Sequence, residues 1–221
     1  MKKSARKPSV RRGQVSRDLI IEAAAEILAQ GGLPALTMRA VADKIGVEAM
    51  SLYNHVNDKR DLLDGVAGRT LSRIAVPDPM LPWPKRLRML VLSLYDVLAA
   101  NPWLVMVLTT EQIEPREPAV LAAMEAAIAI FEEAGLDPSR RVSAFRGLLA
   151  LCFGLVLTHT IGLRMSPSEA ETQFAAADVD AWRTAEAPHM AQLAPQFLMT
   201  RPSDDLTFML DAYIAALGGR I

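Results

Sequence analysis

Ala42 and Gly46 stand four residues apart within the stretch LTMRAVADKIGVEAMSLYNHVNDKRDLL at 36–63, and this spacing constrains the chain more than any other feature. Two helices that cross steeply with their backbones close together need a small residue on the first and a turn residue four positions later. They also need apolar contacts around the crossing, which Val41, Ile45, Val47 and Leu52 supply. This is helix-turn-helix spacing, and the second helix of such a pair can enter a DNA major groove about 12 Å wide. A three-helix packing motif without a nucleic-acid role has the same spacing. The polar face of Ser51, Tyr53, Asn54 and His55, with Lys59 beyond, favours the DNA reading.

The surrounding pattern is helical throughout. Ser16 is a cap for a helix running to about Gln30, with Leu19, Ile20, Ala23, Ile27 and Leu28 on one face and Gly31-Gly32 as its stop. Thr37 caps a second helix that Gly46 ends. Glu48 to His55 reads as a third, and Asp58 caps a fourth extending to Ile74. Pro77, Pro79, Pro82 and Pro84 then interrupt the chain, and we expect a domain boundary there.

Charge divides at the same place. Residues 1–75 hold 13 Lys+Arg and 8 Asp+Glu, a net of +5. The remainder holds 24 − 13 = 11 basic and 25 − 8 = 17 acidic residues, a net of −6. Opposite signs suggest one part that meets a polyanion and another that does not. Lys2, Lys3, Arg6, Lys7, Arg11 and Arg12 all precede the first acid, Asp18, with no apolar run after them. They read as a disordered arm that tracks phosphates rather than as a signal peptide. The expected organisation is an arm at 1–15, a DNA-binding module at 16–76 and a helical domain at 83–221.

In that last part, Leu87, Leu90, Val91, Leu94 and Leu98 form one stripe; Val120, Leu121, Met124, Ile128 and Phe131 form another. A long helix is expected from Ser139 to about Arg164 and a final one bearing Leu206, Met209, Leu210, Tyr213, Ile214 and Leu217. The run from Gly147 to Leu163 is apolar but short of the ~20 residues of a membrane span, and it contains Thr158, His159 and Thr160. It reads as buried core or a subunit interface, with Gly147 and Gly154 allowing close approach, and no membrane partner is expected.

Nothing in the sequence marks an enzyme. There is no Gly-rich phosphate loop, nucleophile elbow or His-Glu-x-x-His, and Cys152 lies alone in an apolar helix. His55, His159 and His189 are too scattered for a metal cluster. No catalytic residue, metal or cofactor is expected, and the chain reads as a cytoplasmic all-α protein.

The runs LTMRAVADKIGV and SLYNHVNDKRDLLD, placed just after an N-terminal helix, resemble the tetracycline repressor family of bacterial one-component regulators. The Leu-Tyr-x-His-Val-x-x-Lys-x-x-Leu-Leu-Asp pattern looks most like the branch containing the tetracycline repressor itself. The resemblance implies an N-terminal three-helix module with a helix-turn-helix, and a C-terminal helical bundle for ligand binding and dimerisation. It implies a homodimer on a palindromic operator in double-stranded DNA, released by a small inducer. By position, Thr37 and Arg39 would meet phosphates or bases, Ala49, Met50 and Ser51 base edges, and Tyr53, Asn54, His55 and Lys59 the adjacent backbone.

Where that branch places a metal-chelating histidine, this chain has Asn101-Pro102-Trp103, and Thr158 has no acidic neighbour to match the branch's partner-subunit ligand. Tetracycline-magnesium is therefore not the expected ligand. Asn101, Trp103, Met106, Met124, Phe145, Cys152, Phe153 and His159 form a mostly apolar candidate pocket, which points to a hydrophobic small-molecule inducer. The alternative is a constitutive DNA-binding regulator without a ligand.

Overall fold

The computed structural model describes residues 15–111, 113, 116–160, 187–199 and 202–218. The basic arm and the stretch 161–186 lie outside the described residues. Ten helices occur among the described residues, and no strand does: α1 Arg17–Ala35, α2 Met38–Ile45, α3 Ala49–Leu52, α4 Lys59–Leu71, α5 Trp83–Ala100, α6 Trp103–Thr110, α7 Pro118–Glu133, α8 Pro138–Thr160, α9 Pro188–Met199 and α10 Pro202–Gly218.

Side-chain caps fix α1, α2 and α4 where the residue types suggest. Ser16 Oγ accepts from the Leu19 amide at 3.2 Å, Thr37 Oγ1 from Ala40 at 3.0 Å and Asp58 Oδ1 from Asp61 at 2.8 Å. Gly32, at φ 64°, breaks the regular path of α1, although one further turn containing Pro34 follows it. Gly46 ends α2 at φ 75°, ψ 37°, and the amides of Gly46 and Val47 both donate to the Ala42 carbonyl, at 2.9 and 3.0 Å. A side chain at Gly46 would crowd its own carbonyl, so glycine suits this turn.

Two expected helices are shorter in the structure. After Leu52 the backbone tightens into a turn, with His55 and Val56 amides both donating to the Leu52 carbonyl. Tyr53, Asn54 and His55 are weak helix formers and hold no further turn. At the end of α4, Ser72 donates its hydroxyl to the Gly68 carbonyl at 2.7 Å, and the amides of Arg73 and Ile74 shift to partners three residues back. The helix stops at Leu71 instead of Ile74.

The chain forms two compact units. The first comprises residues up to 75 together with 100–124, and the second comprises 76–99 with 125 onward. A division at the prolines alone places 100–124 with the later helices. In the structure α6 packs on α1 and α4, because Leu104, Val105 and Val107 add fully buried surface to the core of Ile20, Ala24, Leu28, Val41, Leu52, Leu62, Leu63 and Val66. Helix α7 begins in the first unit and ends in the second.

In the second unit all five residues of the expected α5 stripe are buried. On α7 the buried seam is Val120, Ala123, Ala127, Ile130 and Phe131, whereas Leu121 and Met124 are exposed. The helix is apolar on two faces, and the one carrying the alanines is the buried one. Gly135, at φ 86°, closes α7 with paired Gly135→Glu132 and Leu136→Phe131 backbone bonds. Helix α8 follows at once, capped by Asp137, whose Oδ1 accepts from Ser139 and Arg140.

Helix α8 is long and apolar enough to cross a membrane by length and composition, and only 22% of its most apolar stretch is buried within the chain. Against α10, Tyr213 Oη donates to the Ala144 carbonyl at 2.7 Å and His159 Nε2 lies 3.2 Å from Asp205 Oδ2. Gly147 approaches the same hydroxyl, while open space surrounds Gly154. Phe208 and Met209 on α10 remain exposed, at 73% and 44%.

Candidate nucleic-acid interface

Helix α3 turns one face inward and one outward within four residues. Leu52 is fully buried and anchors it, Ala49 and Ser51 are half-buried, and Met50 projects with 74% exposure. Tyr53 and Asn54 continue the exposed face, and His55 is half-buried. Lys59, half-buried, opens α4. At the start of α2, Arg39 is almost fully exposed and only loosely paired with Asp43 at 3.9 Å. Thr37 uses one oxygen lone pair on the Ala40 amide, which leaves its O–H to donate and a second lone pair to accept. All nine expected residues thus lie on α2, α3, the turn after it and the start of α4, in one compact unit.

What fixes the exit from α3 is an interaction the sequence does not announce. Arg17, the first residue of α1, donates from Nη2 to Asp61 Oδ1 at 2.5 Å and from Nη1 to Oδ2 at 3.1 Å. The same Nη1 also donates to the His55 carbonyl at 3.2 Å, and Asp61 Oδ2 accepts the Asn57 amide at 2.8 Å. One bidentate ion pair therefore gathers α1, α4 and the turn that ends α3. The hydrogen bond from Arg17 holds the Asp61 carboxyl below its ordinary value of 3.8 against the opposing effect of burial, and the Asn57 amide adds to it. The same bond raises Arg17. Arg17 and Asp61 are 44 positions apart, and no local pattern pairs them.

The candidate ligand residues fall into two groups. Asn101, Trp103, Met106 and Met124 belong to the first unit, and Phe145, Cys152, Phe153 and His159 to the second. Trp103 is buried and leaves its Nε1–H without an acceptor, while Met106 and Met124 are exposed. Cys152 is fully buried, and burial pushes its thiol up to about 12, so it stays protonated. His159 uses both ring nitrogens within the second unit: Nδ1 lies 3.1 Å from Tyr95 Oη and Nε2 lies 3.2 Å from Asp205 Oδ2. Among the described residues, no group of three His, Cys, Asp or Glu side chains converges to hold a metal ion.

Residues 20–66, which contain α2, α3 and most of α4, match the model of the bacterial regulatory proteins of the tetR family. An HTH-type transcriptional regulator of Saccharopolyspora erythraea is 28% identical over 178 residues, covering 80% of this chain and 74% of that protein. The N-terminal module is the DNA-binding domain of a tetR-family transcriptional regulator. The protein is a regulator and not an enzyme.

Likeness to the tetracycline repressor itself is confined to the DNA-binding end. The class D repressor of Escherichia coli is 43% identical over 60 residues, which are 27% of this chain and 28% of that protein. The expected kinship with that branch therefore holds for the N-terminal module and not for the whole chain. The fold matches ActR of Streptomyces coelicolor, solved in complex with actinorhodin, with a TM-score of 0.79 at 24% identity, over 92% of this chain and 95% of that one. The chain accordingly has the all-helical tetR fold, with an N-terminal helix-turn-helix domain and a C-terminal helical domain.

The Arg17–Asp61 pair sets a pH dependence for the module. A carboxyl with a lowered native pKa contributes stability that is fully present above its unfolded value and is lost as pH falls through its native one. Asp61→Asn should reduce the unfolding free energy at pH 7 by about 1–2 kcal/mol, a figure discounted for the partial exposure of Arg17. Urea titrations of both proteins should show that gap closing progressively below the ordinary carboxyl value of 3.8. A gap that stays constant into strong acid would assign the stabilisation elsewhere.

Proposed function

We propose that this protein is a homodimeric repressor that reads a palindromic operator in the cytoplasm and releases it when a small hydrophobic inducer binds. The observation that carries the DNA half of this reading is the outward face of α3, where Met50, Tyr53 and Asn54 stand exposed on a backbone fixed by Leu52 and the Arg17–Asp61 pair. Ala49, Met50 and Ser51 read base edges, with Ala49 and Met50 suited to apolar contact such as thymine methyls. Tyr53, Asn54, His55 and Lys59 meet the sugar–phosphate backbone and set the register, and Thr37 and Arg39 meet phosphates or bases. The basic arm at 1–15 adds phosphate contacts beyond the folded module.

Selection of duplexes from a random pool by the purified protein would supply the site, and a mobility-shift titration would then test the reading. Tyr53→Ala with Lys59→Ala should weaken binding to all sequences and lower the slope of log affinity against log salt by about 0.9 per lost phosphate contact. Full-strength binding by that double variant would remove α3 and its flanks from the interface.

Dimerisation is supported by the low burial of α8 within one chain and by the exposed Phe208 and Met209 on α10. Apolar faces of that extent are covered by a second copy in closed, two-fold assemblies. Light scattering should report twice 24.1 kDa, and Phe208→Glu should shift the protein toward monomer. A parent protein that is monomeric at all concentrations would contradict the assembly.

The inducer reading is supported by ActR, whose structure holds actinorhodin, and by the apolar character of the candidate set. Asn101, Trp103, Met106, Met124, Phe145, Cys152, Phe153 and His159 remain its proposed contacts, with no magnesium involved. Compounds that raise the melting temperature and release the selected duplex should do so with EDTA present. Inducers that act only as divalent-metal chelates would overturn the metal-free pocket.

A further inference from the structure

We infer that Arg17 is shared between two carboxylates, and that its transfer from Asp61 to Glu117 releases the recognition helix. In the described state Arg17 serves Asp61 and the His55 carbonyl. Glu117, which begins α7 by accepting the Val120 and Leu121 amides on its carbonyl, sends its carboxylate into α4. That carboxylate occupies the space a side chain at Gly68 would take, so it lies directly against the α4 backbone. Its Oε2 is buried and meets no hydrogen-bond donor. A buried carboxylate oxygen without a donor is unfavourable, and the nearest remedy is a cation that can reach it.

Arg17 is placed to do so. It and Glu117 line the same concave space of about 480 Å³, together with Arg60, Asp64, Gly65 and Arg116. Arg60, Asp64 and Arg116 have interactions of their own. Gly65 keeps the floor between the two open, since a Cβ there would lie 3.3 Å from Arg17 Nη2 and 2.7 Å from Ile21 Cδ1. The Arg17 side chain is 42% exposed and hangs from the first residue of its helix, where the backbone is least restrained. The charge of Glu117 already acts on Arg17.

Two arrangements follow. With Arg17 on Asp61, the turn after α3 is tied to α1 and α4. With Arg17 on Glu117, the His55 carbonyl loses its donor and α3 loses that tie. Helix α7 continues into the second unit, so whatever displaces its first turn changes how accessible Glu117 is to Arg17. This inference rests on the DNA-binding reading of α3 and names the residue pair through which that binding is regulated.

The test is operator affinity for the duplex selected by the parent protein, read beside the melting temperature. Glu117→Gln removes the competing charge. It should raise affinity by about two- to fivefold, as the competent fraction rises, without lowering the melting temperature. Asp61→Asn should lower affinity about tenfold or more with helix content retained, and adding Glu117→Gln to it should recover part of the loss. If Glu117 only caps α7, Glu117→Gln lowers affinity and melting temperature together and the double variant is worse than either single one; that result overturns the proposal, as does an unchanged affinity in Glu117→Gln.

A failure of the DNA reading shows separately, as a parent protein that selects no duplex. The pairing is then read from unfolding midpoints in the Asp61→Asn background. There Arg17→Gln and Glu117→Gln should be non-additive, and additivity overturns the transfer.

Discussion

The turn at Gly46 governs everything the first unit does. Its left-handed backbone, with two amides closing on the Ala42 carbonyl, sets the angle at which α2 hands the chain to α3. Once that angle is set, Val41 and Leu52 are buried and Met50 must point outward. The geometry makes a very short helix useful: α3 has only four residues, too few to be stable alone, and it persists because Leu52 anchors it to the core. Its far end needs a second restraint, which Arg17 and Asp61 provide from outside the motif.

Much of this was legible in the sequence because its causes are local. Ser16, Thr37 and Asp58 cap the helices they precede, and Gly32, Gly46 and Gly135 mark helix breaks or ends through positive φ. The α5 stripe is buried as its spacing requires. Where two local preferences compete, spacing alone was insufficient. On α7 both Leu121-Met124 and Ala123-Ala127 recur with helical spacing, and which of them is buried is settled by tertiary packing rather than by spacing. The association of 100–124 with the first unit depends on α6 finding α1 and α4, which is a tertiary event. The Arg17–Asp61 pair spans 44 positions and has no sequence signature.

The second unit has a different balance. Its interior is mostly apolar, with Cys152 kept as an inert thiol and Arg86 buried and paired with Glu133, and its polar contacts join helices. Tyr95, His159 and Asp205 link α5, α8 and α10 in one line, and Arg88 pairs with Asp211 across α5 and α10. His159 is therefore satisfied without a ligand, as most buried polar groups are. In the first unit, by contrast, Trp103 buries an N–H that meets no acceptor, as Glu117 buries an oxygen that meets no donor. The net +5 of residues 1–75 against the −6 of the rest matches a chain in which one end meets a polyanion.

The central claim is that α3 and its flanking turns form the surface that meets DNA. Hydrogen–deuterium exchange, followed with and without the selected duplex, reads that surface directly at peptide resolution. Added protection should concentrate in peptides covering 37–40 and 47–60, with the second unit little changed. Protection confined to α5, α8 or α10, with 47–60 exchanging as in the free protein, would contradict it.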